Sequence, residues 1–248
     1  MSTNAIFLSD VHLKDCDSLK TRLVVRFFQE IASRYGRIYI LGDLFDVWPG
    51  TTPFLIERFS PILKLLKSLA RDGHEIHYLE GNHDFRLGSY FSDELGIRVY
   101  PNYLEEDFAG KRVHMTHGDL GNPNEYGYRA LRYVLRHDLV QSAIQAVPQK
   151  LIFDSAAKFS RFSRKYSSPK PSQSTQIKQI YRQAAEKLFH NGSDLVLMGH
   201  THMPDDVTTL VGDRYCRYIN LGDWVSNFTY LEFDGSHFYT RTHPVKDL

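Results

Sequence analysis

Cysteine is scarce in this chain: Cys16 and Cys216 are the only two in 248 residues, far apart and outside any paired spacing. That excludes both a zinc ribbon and a disulfide framework, and a reducing cytosol is the expected setting. Charge of one sign is lacking as well. Thirty basic residues meet 29 acidic ones for a formal net charge of +1, so the whole-molecule field has no nucleic-acid footprint and no nucleic-acid partner is expected. Long apolar runs are absent, since none approaches the roughly 20 residues that span a bilayer. Met1-Ser2-Thr3-Asn4 leads straight into Ala5 without a basic segment and an apolar segment in series, so no signal peptide is expected. No internal repeat is visible. What remains is 42% hydrophobic and 24% charged content, enough core for one large domain over residues 1–248.

Short β-rich runs recur, each ending in a polar cluster: Ala5 to Leu8, Ile38 to Leu41, Ile76 to Leu79, Val113 to Met115 and Leu195 to Met198. They read as buried strands. Between the first three, apolar residues repeat at three- and four-residue steps from Leu19 to Ala32 and from Phe54 to Leu69, which predicts two helices. The alternation predicts an α/β sheet covered by helices, with ligands outside the carboxyl ends of the strands. Residues 122–174 change to helical stretches rich in Arg, Lys, Tyr and Phe and end in the breaker-rich run Ser167 to Ser172, which predicts an inserted helical lid. Val207 to Val211, Arg214 to Ile219, Tyr230 to Phe233 and Phe238 to Thr242 read as further strands that form a second sheet.

Five segments place metal-binding side chains just past those apolar runs: Asp10 and His12, Asp43 with Asp46, Asn82-His83-Asp84, His117, and His200 with His202. Together they supply oxygen and nitrogen donors for two metal ions. A pair of divalent cations implies hydrolysis of a phosphate ester or anhydride, because such a site polarises a phosphoryl oxygen and activates water at neutral pH. An extended backbone would send Asp10 and His12 to the same side. Gly42 permits a tight turn that frees Asp43, the candidate bridging carboxylate. Asn82 offers a neutral oxygen, His83 is a candidate acid, and Asp84 is expected to hold the His83 ring, as outer-shell carboxylates do. Each segment alone is compatible with an ordinary surface or core role; five in order are not.

Asp10-x-His12, Gly42-Asp43-x-x-Asp46, Gly81-Asn82-His83-Asp84, His117-Gly118-Asp119 and Gly199-His200-x-His202 resemble the signature of calcineurin-type metallophosphoesterases over nearly the whole chain. The resemblance implies a four-layer αββα sandwich. It implies that Asp10, His12, Asp43 and His202 hold one ion, while Asp43, Asn82, His117 and His200 hold the other. It points to Mn²⁺, although mixed oxygen and imidazole ligation does not exclude Fe, Zn or Mg. The implied reaction is in-line attack on phosphorus by a metal-held hydroxide, with Asn82, His83 and Asp84 as the catalytic set and His83 stabilising the transition state or protonating the leaving oxygen.

Leu41 to Trp48, Gly81 to Gly88 and a lid beginning after Asp119 are similar to the UDP-2,3-diacylglucosamine hydrolases of lipid A biosynthesis, which cleave a nucleotide-linked, doubly acylated sugar into UMP and a lipid monosaccharide phosphate. That similarity implies substrate contacts from Asn82, His83, Glu125, Tyr128, Arg132, Ser163, Lys170 and His200. The chain departs from the commoner pattern in having His83 in place of Arg, Gly50-Thr51-Thr52 in place of Gly-Asp-Asp, and Glu125 in place of Asp. If residues 152–166 are helical, Ile152, Ala156, Phe159, Phe162 and Tyr166 form an apolar stripe opposite Lys158, Arg161, Arg164 and Lys165. Such a helix can wall an acyl chain and can rest peripherally on an anionic inner-membrane surface. The rival readings are a general phosphodiesterase or protein phosphatase, and a metal-binding scaffold without catalysis. A deep apolar groove beside the metals favours acyl chains; a shallow open cleft favours phosphoproteins or small diesters.

Overall fold

The computed structural model describes residues 4–167 and 171–244, with the backbone alone for residues 145, 159–167 and 171–172. The first half alternates strand and helix: β1 (Ala5–Leu8), α1 (Leu19–Glu30), β2 (Arg37–Leu41), α2 (Pro53–Arg58), α3 (Ser60–Arg71) and β3 (Glu75–Leu79). The Ser18 hydroxyl accepts the Thr21 amide at 3.2 Å and starts α1, whose Val24, Phe27 and Phe28 are buried. The single helix expected from Phe54 to Leu69 is two. Pro61 has no amide hydrogen to continue the α2 ladder, so the chain breaks at Phe59 and Pro61 sits in the first turn of α3.

A π-helical turn at Tyr90–Glu94 then leads to β4 (Arg98–Tyr100), β5 (Tyr103–Phe108) and β6 (Lys111–Thr116). Four helices follow: α4 (Tyr126–Arg136), α5 (Asp138–Gln145), α6 (Gln149–Ser167) and α7 (Pro171–His190). Residue 174, where the lid was expected to end, lies inside α7. The last strands are β7 (Leu195–Met198), β8 (Asp205–Val211), β9 (Arg214–Asn220), β10 (Thr229–Phe233) and β11 (Phe238–Thr242).

Two sheets result, one ordered β11-β10-β1-β2-β3-β4 and the other β5-β6-β7-β9-β8. The late strands therefore do not form one sheet, as the sequence suggested. β8 and β9 join the second sheet, whereas β10 pairs antiparallel with β1 and carries β11 onto the first. Side-chain alternation builds the layers. Ala5, Phe7, Tyr39, Leu41 and Leu79 face Val113, Met115, Leu195, Leu197 and Ile219 across the space between the sheets. Ile6, Leu8, Ile38, Ile40 and Ile76 pack outward with buried residues of α1, α2 and α3. On the other outer side, Val196, Met198, Cys216 and Tyr218 meet Tyr181, Ala185 and Phe189 of α7. Helix, sheet, sheet, helix is thus the order of layers, as expected for the αββα sandwich. No helix among the described residues is long and apolar enough to cross a membrane.

Candidate metal centre

Loops leaving β1, β2, β3, β6 and β7 at their carboxyl ends bring all five donor segments together. The backbone there is not extended. Asp10, His12, Asp43, His200 and His202 have φ of 55°, 53°, 56°, 66° and 59°, the left-handed region that L-residues rarely occupy and that Asp and His tolerate better than most. The extended geometry expected at Asp10 and His12 is therefore wrong: β1 ends at Leu8, and backbone bonds from Asp10 N to Gly42 O (3.2 Å) and from His12 N to Asp43 O (2.8 Å) tie the two loops together. Strain concentrated on donor residues is the pattern of a functional site held by the surrounding fold. Close approach adds to it. A Cβ on Gly81 would lie 2.0 Å from Asp43 Oδ1, and one on Gly199 would lie 2.3 Å from Asp10 Oδ2.

Among the described residues, three overlapping groups place one donor atom per residue within 4.8 Å of each other: Asp10, His12 and His202; His12, Asp43 and His83; Asp10, Asp43 and His117. Asp43 Oδ2 is 3.7 Å from His12 Nε2 and 3.4 Å from His117 Nε2, midway between the two flanks. Asn82 Oδ1 lies 3.0 Å from His117 Nε2 and 2.8 Å from His200 Nδ1.

The tautomers decide what these contacts mean. His117 Nδ1 is 2.8 Å from the Leu41 carbonyl oxygen, which can only accept, so Nδ1 carries hydrogen and the neutral ring has its lone pair on Nε2. Nε2 faces the Asp43 and Asn82 oxygens; burial opposes protonation there, but the Asp43 carboxylate raises this ring well above the usual histidine range, so a bound cation would replace a proton on Nε2. His202 Nδ1 donates to Asp223 Oδ2 at 3.1 Å, which turns its Nε2 lone pair toward Asp10 Oδ1 (3.5 Å) and His12 Nε2 (3.3 Å). Asp10 Oδ1 is buried without a hydrogen-bond partner. A buried, unpartnered carboxylate oxygen beside imidazole nitrogens fits a bound cation, and the oxygen and imidazole mixture fits a divalent first-row metal.

Electrostatics follow the same division. Burial alone would raise the Asp43 carboxyl, but the His117 and His83 rings beside it hold it well below the usual carboxylate range. Burial and the neighbouring His117 lower His200 to about 4. At Asp223, burial is overcome by the His202 ring and by the amides of Ser226 and Asn227, and the carboxyl falls to about 2.

Asp84 does not hold His83. The His83 Nδ1 donates to the Asp46 carbonyl at 2.9 Å. Asp84 turns inward, accepting the amides of Asp43 (2.8 Å), Gly81 (3.0 Å) and Phe45 (3.2 Å) and the Tyr78 hydroxyl. It shapes the two loops rather than the acid, and burial next to the Asp43 charge raises it to about 7.

The substrate candidates scatter. Tyr128 donates its hydroxyl to Asp119, Arg132 Nε pairs with the same carboxylate at 2.9 Å, and the Tyr128 ring is 6.4 Å from that of His200. Glu125 sits at the start of α4 and accepts from Asn122 Nδ2 at 3.0 Å rather than from a ring of the centre. Ser163 lies in the part of α6 described by backbone alone, as do Phe159, Phe162 and Tyr166 of the expected stripe, and Lys170 lies outside the described residues. Of that stripe, Ile152 and Ala156 are half-buried, but the deepest side chain is Phe153, packed on Phe54 with ring centroids 5.7 Å apart. Sequence reasoning missed Asp223. Its signal was a Gly-Asp pair directly after a strand, the same one that exposed Asp43.

A centre of clustered carboxylates and histidines at the strand ends of an αββα sandwich defines a metal-dependent hydrolase. The calcineurin-like phosphoesterase family profile matches residues 3–204, and the chain belongs to that family. It is 30% identical over 236 residues to a UDP-2,3-diacylglucosamine hydrolase of Haemophilus influenzae (strain PittGG), covering 94% of this chain and 96% of that one. Proteins of the same name from Stenotrophomonas maltophilia (strain K279a) and Aromatoleum aromaticum are each 30% identical, covering 92% and 94% of this chain.

Proposed function

We propose that the chain hydrolyses the pyrophosphate of UDP-2,3-diacylglucosamine to UMP and the acylated sugar 1-phosphate. The observation that carries this reading is a near end-to-end likeness to hydrolases of that name, together with acceptor atoms that converge on Asp43 from both sides. Asp10, His12, Asp43 and His202 would hold one ion, with Asp43, Asn82, His117 and His200 holding the second and Mn²⁺ suiting these donors. Such a pair polarises a phosphoryl oxygen and supplies nucleophilic water at neutral pH. The chain's own residues do the rest. His83, half-buried and edge-on to His12 at 4.8 Å, is oriented by the Asp46 carbonyl and serves the leaving oxygen as proton donor. Residues 122–174 act as the lid, with Tyr128, Arg132 and Glu125 on the substrate side and Ser163 and Lys170 further along it. Exposed Tyr126, Leu131, Tyr133, Val134, Leu139 and Leu151 on α4 to α6 support a peripheral contact with the cytoplasmic membrane surface, where a lipid substrate resides.

A second reading, a phosphodiesterase with a smaller anionic substrate, is favoured by one feature. The cavity beside α4, about 470 Å³, is lined by Arg129, Arg132 and Arg136 together with Asp138, His137, Leu120 and Tyr133, so it offers guanidinium groups to a small anion. Incubation of Mn²⁺-loaded protein with UDP-2,3-diacylglucosamine, UDP-glucose and an aryl phosphodiester separates the two. UMP release confined to the acylated sugar, and lost in Asn82→Ala, is the expected result. Intact lipid substrate beside a hydrolysed diester would replace the first reading with the second.

A further inference from the structure

We propose that Arg136 is a positioning residue that braces α4 against the Asn82 loop and thereby sets the metal affinity of one half of the centre only. The inference rests on the ligand sets given under Proposed function. Arg136 is the last residue of α4, and its side chain is 17% exposed. Its guanidinium donates to Glu80 Oε2 at 2.5 Å and to the Gly81 carbonyl at 3.2 Å, and lies over the Phe85 ring at 5.3 Å. Glu80 is buried in turn and uses its other oxygen to accept the Leu87 amide at 3.0 Å. One guanidinium and one carboxylate therefore fasten both ends of the segment from Glu80 to Leu87, and Asn82 and His83 sit in the middle of it. Arg86 returns the contact by donating to the Arg136 carbonyl at 2.8 Å.

One and two turns earlier on the same helix, Arg132 and Tyr128 grip Asp119, two residues beyond His117. These contacts of α4 end on the Asn82 and His117 loops, and the Tyr128 ring lies against His200. Those three residues are the donors proposed for the second ion besides Asp43. Asp10, His12 and His202, the donors of the first, are fixed by other means: backbone bonds from Asp10 and His12 to the Gly42-Asp43 turn, and Asp223 on His202. A planar guanidinium that holds a carboxylate and a carbonyl at once fixes a loop more tightly than an ammonium could. An ordinary packing role for the pair would instead loosen the domain without separating the two ions.

Mn²⁺ titration of metal-free protein by calorimetry, with metal content checked after gel filtration, tests this. Asn82→Ala and His202→Ala identify the two classes of ion. Arg136→Ala is expected to weaken the class that Asn82→Ala removes by about tenfold, as loss of outer-shell support does, and to leave the other class within about twofold. Glu80→Gln is expected to reproduce the split. Arg182→Ala, which breaks the α7 pair with Asp205 instead, is expected to move neither class. If the alanine variant does not fold by circular dichroism, Arg136→Lys, which keeps the charge and loses the fork, carries the same test. Equal weakening of both classes, or of neither, in folded protein overturns the brace. Wild-type protein that binds fewer than two ions overturns the ligand sets and the brace together, whereas two ions and no split overturn the brace alone.

Discussion

The same strands carry two buried clusters of histidine and carboxylate, and only one is a centre of reactivity. Between the sheets, before the strand ends, Phe7, Tyr39, His77 and Tyr100 stack across β1 to β4 with centroid separations of 4.7, 4.5 and 5.8 Å. Tyr39 donates to Glu106 at 2.6 Å, and His77 Nδ1 lies 3.1 Å from the Tyr100 hydroxyl. These side chains stand on regular strand backbone, although His77 Nε2 is buried without a hydrogen-bond partner. Past the ends of β2 and β3, Asp43, Asn82 and His117 turn oxygen and nitrogen atoms toward one another on backbone that includes left-handed residues. Burial and residue type do not separate the clusters. What separates them is whether the backbone is strained to aim the side chains at one point.

The largest expected effect tests that difference along β2 and the loop that leaves it. Asp43→Ala is expected to lose about a thousandfold or more in hydrolysis of an aryl phosphodiester, since two-metal polarisation supplies several kcal/mol of transition-state stabilisation. Tyr39→Phe, four residues earlier, is expected to stay within about twofold of wild type. Comparable losses in both variants would erase the distinction. Next in size is Asp223→Asn. It removes the charge that fixes the His202 tautomer, and is expected to lower Mn²⁺ affinity by about 10–100-fold with stability of the metal-free fold retained. Unchanged affinity would mean that His202 is oriented without it.

Much of the centre was legible because its donors follow apolar strands in a recognisable order, and the strand runs themselves are nearly continuous apolar sequence, as buried parallel strands are. Asp223 carried the same Gly-Asp signal but not its role, because only the fold brings it to His202. Adjacency misled at Asp84, whose turn sends the carboxylate inward to the Asp43, Phe45 and Gly81 amides while His83 points elsewhere. β5 was missed because an edge strand reading Tyr-Leu-Glu-Glu-Asp-Phe has little apolar content to show. Sheet membership of β10 and β11 depends on pairing with β1, more than 200 positions away in sequence, and alternation within a strand says nothing about its partner.

Smaller effects sharpen the other side of the comparison. Tyr39→Phe is expected to cost about 1 kcal/mol of unfolding free energy, because a buried hydrogen bond to Glu106 is lost while Arg37 still lies 3.6 Å from that carboxylate. Urea unfolding of the metal-loaded protein reads it, and a loss several times larger would make the ring stack a stability element beyond its hydrogen bonds.

The smallest effect is a slope with pH. Burial lowers His77 below the usual histidine range, against the pull of Glu106 and Glu75 and with the help of Arg98 and Arg37. A histidine lowered in the folded state leaves the unfolded chain binding more protons just below its ordinary pKa of about 6.5. Its contribution is therefore fully present above that pH and is lost as pH falls toward the folded value. His12 and His200 are lowered too and give a slope of the same sign in the metal-free protein, so the test is a difference: His77→Gln is expected to flatten the fall in stability between neutral pH and pH about 5, in metal-loaded and metal-free protein alike. An unaltered slope in both would mean that His77 stays as easily protonated as in the unfolded chain, without the burial effect that lowers His12 and His200 at the strand ends.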